Sequence, residues 1–368
     1  MFLITNRDVN EKKKGPDALG SKPNEKGPNE LRLAEATRKG GRWKVSVLPD
    51  TCTRAMLKSA GIKPSKDAAG KDKSVWSSRY VAYKLLLQLR ARQKRSGKAP
   101  ALAFFVHGYN NDVEAVLERA KAFEDHYGVE VIAFTWPANG GGLGGTMSYL
   151  SDKRDALASV GAFDRAILKL DEYLKEMNQE RVERIEGKAT RDHGDDAEGW
   201  DGHFTREMVR ECPFTLNLLL HSMGNYIFKH FMSSSTFCGN RLVFDNVVMA
   251  AADANNAGHV DWVDRIQCRN RVYITINEND IALRASRMKA GEEQKARLGH
   301  WPYGLESKRA VYVNFTDARG VGDSHAYFEG DPIKKNANVR QFFDAALNGA
   351  VAERDLDYDI ARNMFRVK

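Results

Sequence analysis

The chain has 368 residues, 42% of them hydrophobic and 29% charged, with a formal net charge of +8. This composition allows a large core and excludes fibrous and intrinsically disordered classes. No apolar run approaches the roughly 18 residues that a membrane-spanning helix needs. The N-terminal stretch MFLITNRDVN is too short in apolar residues to predict a signal peptide.

The distribution of charge and the spacing of the cysteines further restrict the class of protein. Lysine and arginine are concentrated in the first hundred residues, and the remainder has an acidic excess. A basic N-terminal third could bind nucleic acid, but without a nucleic-acid-binding module a solvated lysine-rich face is the simpler interpretation. The cysteines are widely spaced and form no CxxC pair, which predicts reduced thiols in a cytoplasmic protein. They are Cys52, Cys212, Cys238 and Cys268.

The predicted elements begin with short strands and then alternate between strand and helix. Apolar runs predict strands at 2–6, 31–37, 43–48, 101–108, 129–136, 216–220, 241–251, 271–277 and 309–317. Helical spacing predicts helices at 74–95, 113–127, about 150–177, 226–231 and 338–349. We expect Asp112 to cap the helix that follows it. A polar loop is predicted from Val9 to about Glu30, and a polar surface insertion at about 180–212.

Continuous apolar strands that alternate with helices predict a mostly parallel sheet covered by helices on both faces. In such sheets, functional residues collect at the carboxyl ends of the strands. The residues that follow the predicted strands include Ser222, Asp253, Asp280 and His325. A serine needs an imidazole to remove its proton, and the imidazole needs a carboxylate to orient it. The chain order serine, aspartate, histidine is the order of α/β-hydrolases.

The turn around the serine departs from the G-x-S-x-G pattern of a nucleophile elbow. It reads Leu220-His221-Ser222-Met223-Gly224, with leucine in place of the first glycine. Taken alone, this stretch also fits an ordinary buried turn serine. The interpretation as a nucleophile therefore depends on the other segments of the chain.

Six segments in order strengthen that interpretation. They resemble the bacterial α/β-hydrolase-like family named domain of unknown function 900, in which alanine often fills the first elbow position. The resemblance runs from residue 2 to about 330, apart from the insertion at 180–212. The segments are FLITNR, FVHGYNN, TWPANG, LHSMGN, NENDIALRAS and GDSHAYF.

The resemblance implies a role for individual residues of this chain. Ser222 matches the nucleophile, His325 the base and Asp280 the acid, with Asp253 as the alternative acid. The backbone amides of Met223 and Tyr109 match the donors of an oxyanion hole. We expect His107 and His221 to order the loops beside the serine rather than to act as bases.

Two other patterns are weaker. Gly140, Gly142 and Gly145 formally match G-x-G-x-x-G, but they do not directly follow the first strand of a dinucleotide-binding unit. A loop at the rim of the active site is the preferred interpretation. The run Asp192-His193-Gly194-Asp195-Asp196 could suggest a metal site, but in a polar insertion it is better interpreted as a solvated loop.

The sequence therefore predicts a single-domain, three-layer α/β-hydrolase fold over residues 1–368, without metal or organic cofactor. We expect it to hydrolyse a small carboxylic ester, or else a thioester or amide, through an acyl-enzyme on Ser222. Two alternatives stay open. One is a catalytically silent hydrolase fold that serves as a binding module, and the other is a nucleic-acid-associated protein that uses the basic N-terminal third.

Overall fold

The computed structural model describes residues 1–138, 145–211, 214–234, 241–288 and 295–368, with the backbone alone described at 145–148. Its strands are β1 Phe2–Thr5, β2 Arg7–Val9, β3 Leu19–Pro23, β4 Arg32–Lys39, β5 Arg42–Val47, β6 Ala101–Val106, β7 Glu130–Thr135, β8 Thr215–His221, β9 Phe244–Ala250, β10 Cys268–Ile276, β11 Ala310–Asn314, β12 Asp357–Asp359 and β13 Met364–Arg366.

The helices follow in the same chain order. They are α1 Arg54–Ala60, α2 Ser77–Ser96, α3 Val113–Tyr127, α4 Gly145–Ala158, α5 Val160–His193, α6 Ala197–Arg210, α7 Gly224–Met232, α8 Val260–Val263, α9 Ile281–Arg287, α10 Asp331–Lys335 and α11 Ala337–Leu347. Asp112 caps α3 as predicted, because its Oδ1 accepts a hydrogen bond from the Ala115 amide at 2.8 Å.

Eleven of the described strands form one sheet, in the spatial order β12-β13-β11-β10-β9-β8-β6-β7-β1-β4-β5. The strands from β13 to β1 in that order run parallel, whereas β12 and β4 run antiparallel to their neighbours. Helices pack around this large, mostly parallel sheet. The arrangement confirms the predicted three-layer α/β-hydrolase fold.

The packing of strand β6 explains why its sequence is apolar throughout. Leu102, Phe104 and Val106 pack into a cluster with α2, α5 and α7. The alternate residues of the strand pack into a second cluster with α3 and α11 on the other face. Because successive side chains of a strand point to opposite faces, a sheet covered on both sides needs apolar residues at every position.

Three predictions from the sequence were wrong in detail. The predicted loop after Val9 contains β3, which pairs with β2 as a hairpin. The helix expected at about 150–177 is two helices, α4 and α5, and α5 continues to His193. The predicted insertion at 180–212 is helical over most of its described part, residues 180–211: the end of α5 and α6 form a hairpin whose turn holds Asp195. These helices are polar because α6 has no buried residue and α5 buries only Ile185 and Ala189 in this part.

The structure bears on two expectations drawn from the composition, one about membrane-spanning helices and one about free thiols. No helix in the described ranges is long and apolar enough to cross a membrane. Cys52 and Cys268 are free thiols. Cys212 and Cys238 lie outside the described residues, as do Gly140 and Gly142 of the glycine run.

Candidate active site

The chain order of the strands reverses beside β6. Strand β7 pairs with one edge of β6, and β8, the next strand along the chain, pairs with the other edge. At such a point the loops at the carboxyl ends diverge and leave a crevice where ligands bind in open α/β sheets. Ser222 follows β8 directly at this position.

Ser222 occupies a strained turn between β8 and α7. Its φ of 52° lies in the left-handed region, which costs a residue other than glycine on the order of 1 kcal/mol or more. Hydrogen bonds hold the turn: the Ser222 amide donates to the Ala250 carbonyl at 3.0 Å, and the amides of Asn225 and Asp253 donate to the Ser222 carbonyl at 3.0 and 3.2 Å. The turn is therefore fixed by a neighbouring strand as well as by its own helix.

Two glycines allow the turn to approach the neighbouring loop. A Cβ at Gly224 would lie 2.7 Å from the Val106 carbonyl oxygen, and a Cβ at Gly108 would lie 2.6 Å from the Cβ of Ser222. Both distances are below any real contact. Leu220, which stands where the elbow pattern has its first glycine, is fully buried in the core. A side chain would therefore clash at positions 108 and 224, whereas position 220 accommodates a leucine.

His325 and Asp280 meet beyond the ends of β10 and β11. His325 Nδ1 lies 2.7 Å from Asp280 Oδ2, and the carboxylate is fully buried. The other carboxylate oxygen of Asp280 accepts a hydrogen bond from the Leu283 amide at 3.0 Å, which caps α9. Because an ionised carboxylate can only accept, Nδ1 of His325 carries the proton. Its Nε2 is then the basic nitrogen.

The loop that carries His325 is tied to the same strand ends. The Asn277 side chain, directly after β10, donates to the carbonyls of Gly322 and Ser324 at 3.1 and 3.0 Å. Asn277 is fully buried, so these hydrogen bonds are screened little by water. One side chain thus fixes the backbone immediately before the histidine.

His221 supports His325 from the residue before the serine. Its Nε2 lies 3.1 Å from the His325 carbonyl, and its Nδ1 lies 3.5 Å from an Arg119 nitrogen. The carbonyl can only accept and the guanidinium can only donate, so Nε2 carries the proton. Arg119 is held in turn by an ion pair with Glu329 at 2.8 Å. Burial, followed by the charges of His325 and Arg119, lowers the pKa of His221 well below its ordinary value, so this ring is a neutral donor.

His107 orders the loop after β6. Its Nδ1 lies 2.8 Å from the Gly108 carbonyl, its Nε2 accepts from the Trp136 amide at 3.2 Å, and its ring stacks on the Trp136 indole. Burial lowers the pKa of His107 well below its ordinary value. Both ring nitrogens are engaged with the backbone. The contacts agree with the expectation that this histidine orders a loop.

Asp253, the alternative acid, has different partners. It forms a buried ion pair with Arg297, with 3.2 Å between Nε and Oδ1, and both side chains are only 3% exposed. Its carboxylate also accepts from Ser286 at 2.6 Å and from the Tyr149 hydroxyl at 3.0 Å. The carboxylate that contacts His325 is therefore that of Asp280, and Asp253 belongs to a separate buried cluster beside the serine.

Arg7 is a structural residue that the sequence analysis did not single out. It is fully buried and donates to the carbonyls of Gly20, Ala138 and Asn111 at 3.0–3.1 Å. Burial lowers the pKa of its guanidinium to about 10, which leaves it charged at neutral pH. It joins the loops after β6 and β7. A charged residue two positions after the buried strand β1 was the available signal.

The amides proposed for an oxyanion hole flank the serine on two sides. Met223 follows Ser222 in the elbow and is buried, and Tyr109 follows Gly108, whose position touches the Ser222 side chain. The ring of Tyr109 packs edge-on against Tyr149 at 5.7 Å. Among the described residues, no group of three or more His, Cys, Asp or Glu side chains is arranged to hold a metal ion.

Comparison with known proteins bears on part of the chain. Residues 87–182 match the model of a family described as alpha/beta hydrolase of unknown function, DUF900. This match confirms the resemblance for a segment that includes FVHGYNN and TWPANG, and it ends before Ser222, Asp280 and His325. Neither the curated proteins nor the solved structures that were searched gave a match.

Proposed function

We propose that this α/β-hydrolase-fold protein is a serine hydrolase that cleaves a carboxylic ester through an acyl-enzyme on Ser222. The observation that carries the proposal is the 2.7 Å hydrogen bond between His325 and the buried Asp280. A histidine held by a buried carboxylate at the strand ends is the arrangement that activates a serine. The strained elbow at Ser222 supports the same assignment.

In this mechanism His325 Nε2 takes the proton of the Ser222 hydroxyl as Oγ attacks the ester carbonyl. The Asp280 carboxylate stabilises the imidazolium that forms and keeps its Nδ1–H in place. The amides of Met223 and Tyr109 donate hydrogen bonds to the carbonyl oxygen as it gains negative charge. Such donors contribute on the order of 3 kcal/mol each to the transition state.

The remaining steps use the same groups. The protonated His325 gives its proton to the departing alkoxide, which leaves as an alcohol and leaves Ser222 acylated. His325 then removes a proton from water, whose oxygen attacks the acyl carbon. The second tetrahedral intermediate expels Ser222 Oγ, which regains a proton from His325, and the carboxylic acid departs. The cycle consumes one water and needs no cofactor.

We propose an ester as the substrate, with a thioester or an amide as the alternatives. Tyr109, which is partly exposed and packs against the buried Tyr149, lies in the loop after β6 and can contact the substrate. Further parts of the proposal are that residues 1–368 form one domain and that the protein is cytoplasmic. The sheet that contains both β1 and β13 supports the first, and the free thiols of Cys52 and Cys268 support the second.

Turnover of short p-nitrophenyl esters tests the proposal. We expect the wild-type protein to release p-nitrophenol and the Ser222→Ala variant to lose on the order of 10⁴- to 10⁶-fold in kcat while unfolding at the same denaturant concentration. Activity of the variant within tenfold of the wild type would contradict the assignment. A wild-type protein inert towards ester, thioester and amide substrates would instead favour a binding module on the hydrolase fold.

A further inference from the structure

A large groove lies at the opposite end of the sheet from Ser222. We call it the basal groove; it is bounded by the end of α2, the middle of α5, residues 210 and 211 at the end of α6, and the first residues of β8 and β9. Its volume is about 1140 Å³, just above the roughly 300–1,000 Å³ range of small-molecule sites. Thr215 lines it, and the length of β8 separates it from Ser222 by roughly 20 Å.

Part of the lining of the basal groove is apolar. Leu174 and Met177 of α5 and Phe214, which precedes β8, line it and are only partly buried. Leucines at its rim are unusually exposed: Leu242 is 46% exposed and Leu87 is 42% exposed. Together these side chains form an elongated surface that a hydrocarbon chain would cover, at a gain of about 25 cal/mol per Å² removed from water.

The rim of the basal groove is positively charged. Seven Lys or Arg residues and three Asp or Glu residues line it, an excess of four positive charges. Several cations have acidic partners: Lys175 pairs with Asp171 at 2.7 Å, and Arg184 pairs with Glu211. Arg210 pairs with Glu207, which lies outside the lining, so three cations account for the excess that remains.

Three cations at the rim have no salt bridge with a described residue. They are Arg90 and Lys94, one turn apart on α2, and Arg181 of α5. Arg181 donates to the Glu211 carbonyl at 2.8 Å and to the Asn178 side chain at 2.9 Å, and its buried Nε has no hydrogen-bond partner in the described part of the chain. The exposed Arg90 and Lys94 side chains are available to an anion, and Arg181 lines the same groove.

We propose that the basal groove is a second ligand site, which binds a free, single-chain anionic amphiphile such as a long-chain fatty acid. The hydrocarbon chain lies along Leu174, Met177 and Phe214, and the anionic head group lies between Arg181 and the pair Arg90 and Lys94. Charge complementarity selects the head group, and the apolar walls select the chain. The site gives the polar α5–α6 hairpin a role, because Arg181 on α5 and Glu211 after α6 form one of its walls.

Binding of the fluorescent fatty acid cis-parinaric acid, compared with its uncharged alcohol, tests the proposal. Arg90→Glu/Lys94→Glu is the informative variant, since both side chains are exposed and its fold can be checked by circular dichroism. Lys58→Glu/Lys63→Glu, on the surface at α1, makes the same change in net charge away from the groove. We expect the first variant to bind the acid at least tenfold more weakly and the second to bind it as the wild type does.

The uncharged alcohol and vesicles supply the remaining comparisons. The wild type should bind the acid at least tenfold more tightly than the alcohol, and Arg181→Gln should reduce that preference without reversing a charge. Equal binding of the acid by wild type and Arg90→Glu/Lys94→Glu would overturn the proposal. Binding to phosphatidylglycerol vesicles without binding of monomeric fatty acid would also overturn it, in favour of a membrane surface. Ester turnover is not expected to change in these variants. The binding test is therefore independent of the test of Ser222 as the nucleophile.

Discussion

Asp280 and His325, 45 residues apart in the chain, meet through a 2.7 Å hydrogen bond between a fully buried carboxylate and a partly exposed imidazole. The same carboxylate caps α9 through its second oxygen. Each oxygen of the Asp280 carboxylate therefore accepts one hydrogen bond, one from a backbone amide and one from the histidine. Replacing one of these oxygens by a nitrogen would remove one of the two hydrogen bonds.

We expect Asp280→Asn to lower kcat by about 10³- to 10⁴-fold. The one side-chain oxygen of asparagine would accept from the Leu283 amide, which turns the amide nitrogen towards His325. That nitrogen can only donate, so His325 would carry its proton on Nε2 and could not accept one from Ser222. Steady-state hydrolysis of a p-nitrophenyl ester measures the loss.

The matched variant is Asp253→Asn, which changes the same atoms one strand away. It removes the ion pair between Asp253 and the buried Arg297, so the free energy of unfolding should fall by about 3 kcal/mol. The kcat of the folded protein should stay within tenfold of the wild type. If Asp253→Asn abolishes turnover while Asp280→Asn retains it, the acid has been assigned to the wrong aspartate.

His221 is expected to act as a positioning residue through the His325 carbonyl. His221→Leu removes the donor to that carbonyl and should lower kcat by about tenfold or more, because the histidine loop loses a fixed contact. His221→Gln keeps an N–H donor of similar reach and should recover most of the activity. The measurement is kcat and KM for both variants, with KM little changed. Equal losses in the leucine and glutamine variants would show that the ring matters only for packing.

Gly108→Ala tests the close approach of the two loops. Its Cβ would stand 2.6 Å from the Cβ of Ser222, so either the elbow or the Tyr109 amide must move. A shift of about 1 Å in such groups is expected to lower kcat/KM by roughly 100-fold. Gly187→Ala is the control, since its Cβ would meet only the flexible end of Arg191, at 3.7 Å, within α5. If both variants are equally active, the contact at Gly108 has no catalytic importance.

The strand and helix pattern was predictable from sequence because strands buried on both faces leave continuous apolar runs, as ALAFFV does at β6. Ser222, Asp280 and His325 could be chosen because each follows a strand. The α5–α6 hairpin was missed because its sequence is mostly polar and charged. Its described residues bury few apolar side chains, Ile185 and Ala189 among them, and so leave no strong apolar stripe in the sequence.

The supporting contacts were not predictable for a different reason. Arg119 reaches His221 across 102 residues of chain, and Arg7 reaches the Asn111 carbonyl across 104 residues. Only the folded sheet brings these residues together. Local sequence patterns carry no information on such pairs. The same reasoning explains why the sequence kept Asp253 as an alternative to Asp280, since only the folded chain shows which carboxylate contacts His325.

Asp155 gives a prediction about pH and stability. Burial, with the neighbouring Asp152 carboxylate, raises the pKa of Asp155 from 3.8 to about 6. The folded state therefore binds this proton more tightly than the unfolded state, so stability falls as pH rises from about 4 to about 6. Asp155→Asn removes that loss and should raise the free energy of unfolding at pH 7.5 by about 1 kcal/mol, after allowance for partial exposure.

The gain should disappear below about pH 4, where the wild-type carboxyl is protonated in both states. Urea unfolding at pH 7.5 and pH 4 measures it. Asp201→Asn, at an exposed position on α6, controls for the change in net charge. A gain of the same size at both pH values, or the same gain from Asp201→Asn, would contradict the account.

The most direct test of Ser222 as the nucleophile is the site of modification by a fluorophosphonate, which reacts only with an activated serine. Intact mass and peptide mapping of the wild-type protein should show one adduct, on the peptide that contains Ser222, and none in Ser222→Ala. Ser286, buried beside Asp253, is the control serine, and Ser286→Ala should still be labelled. His325→Ala should slow labelling by at least 100-fold, because the serine loses its base. An adduct on another residue, or labelling of Ser222 at the normal rate without His325, would contradict the account.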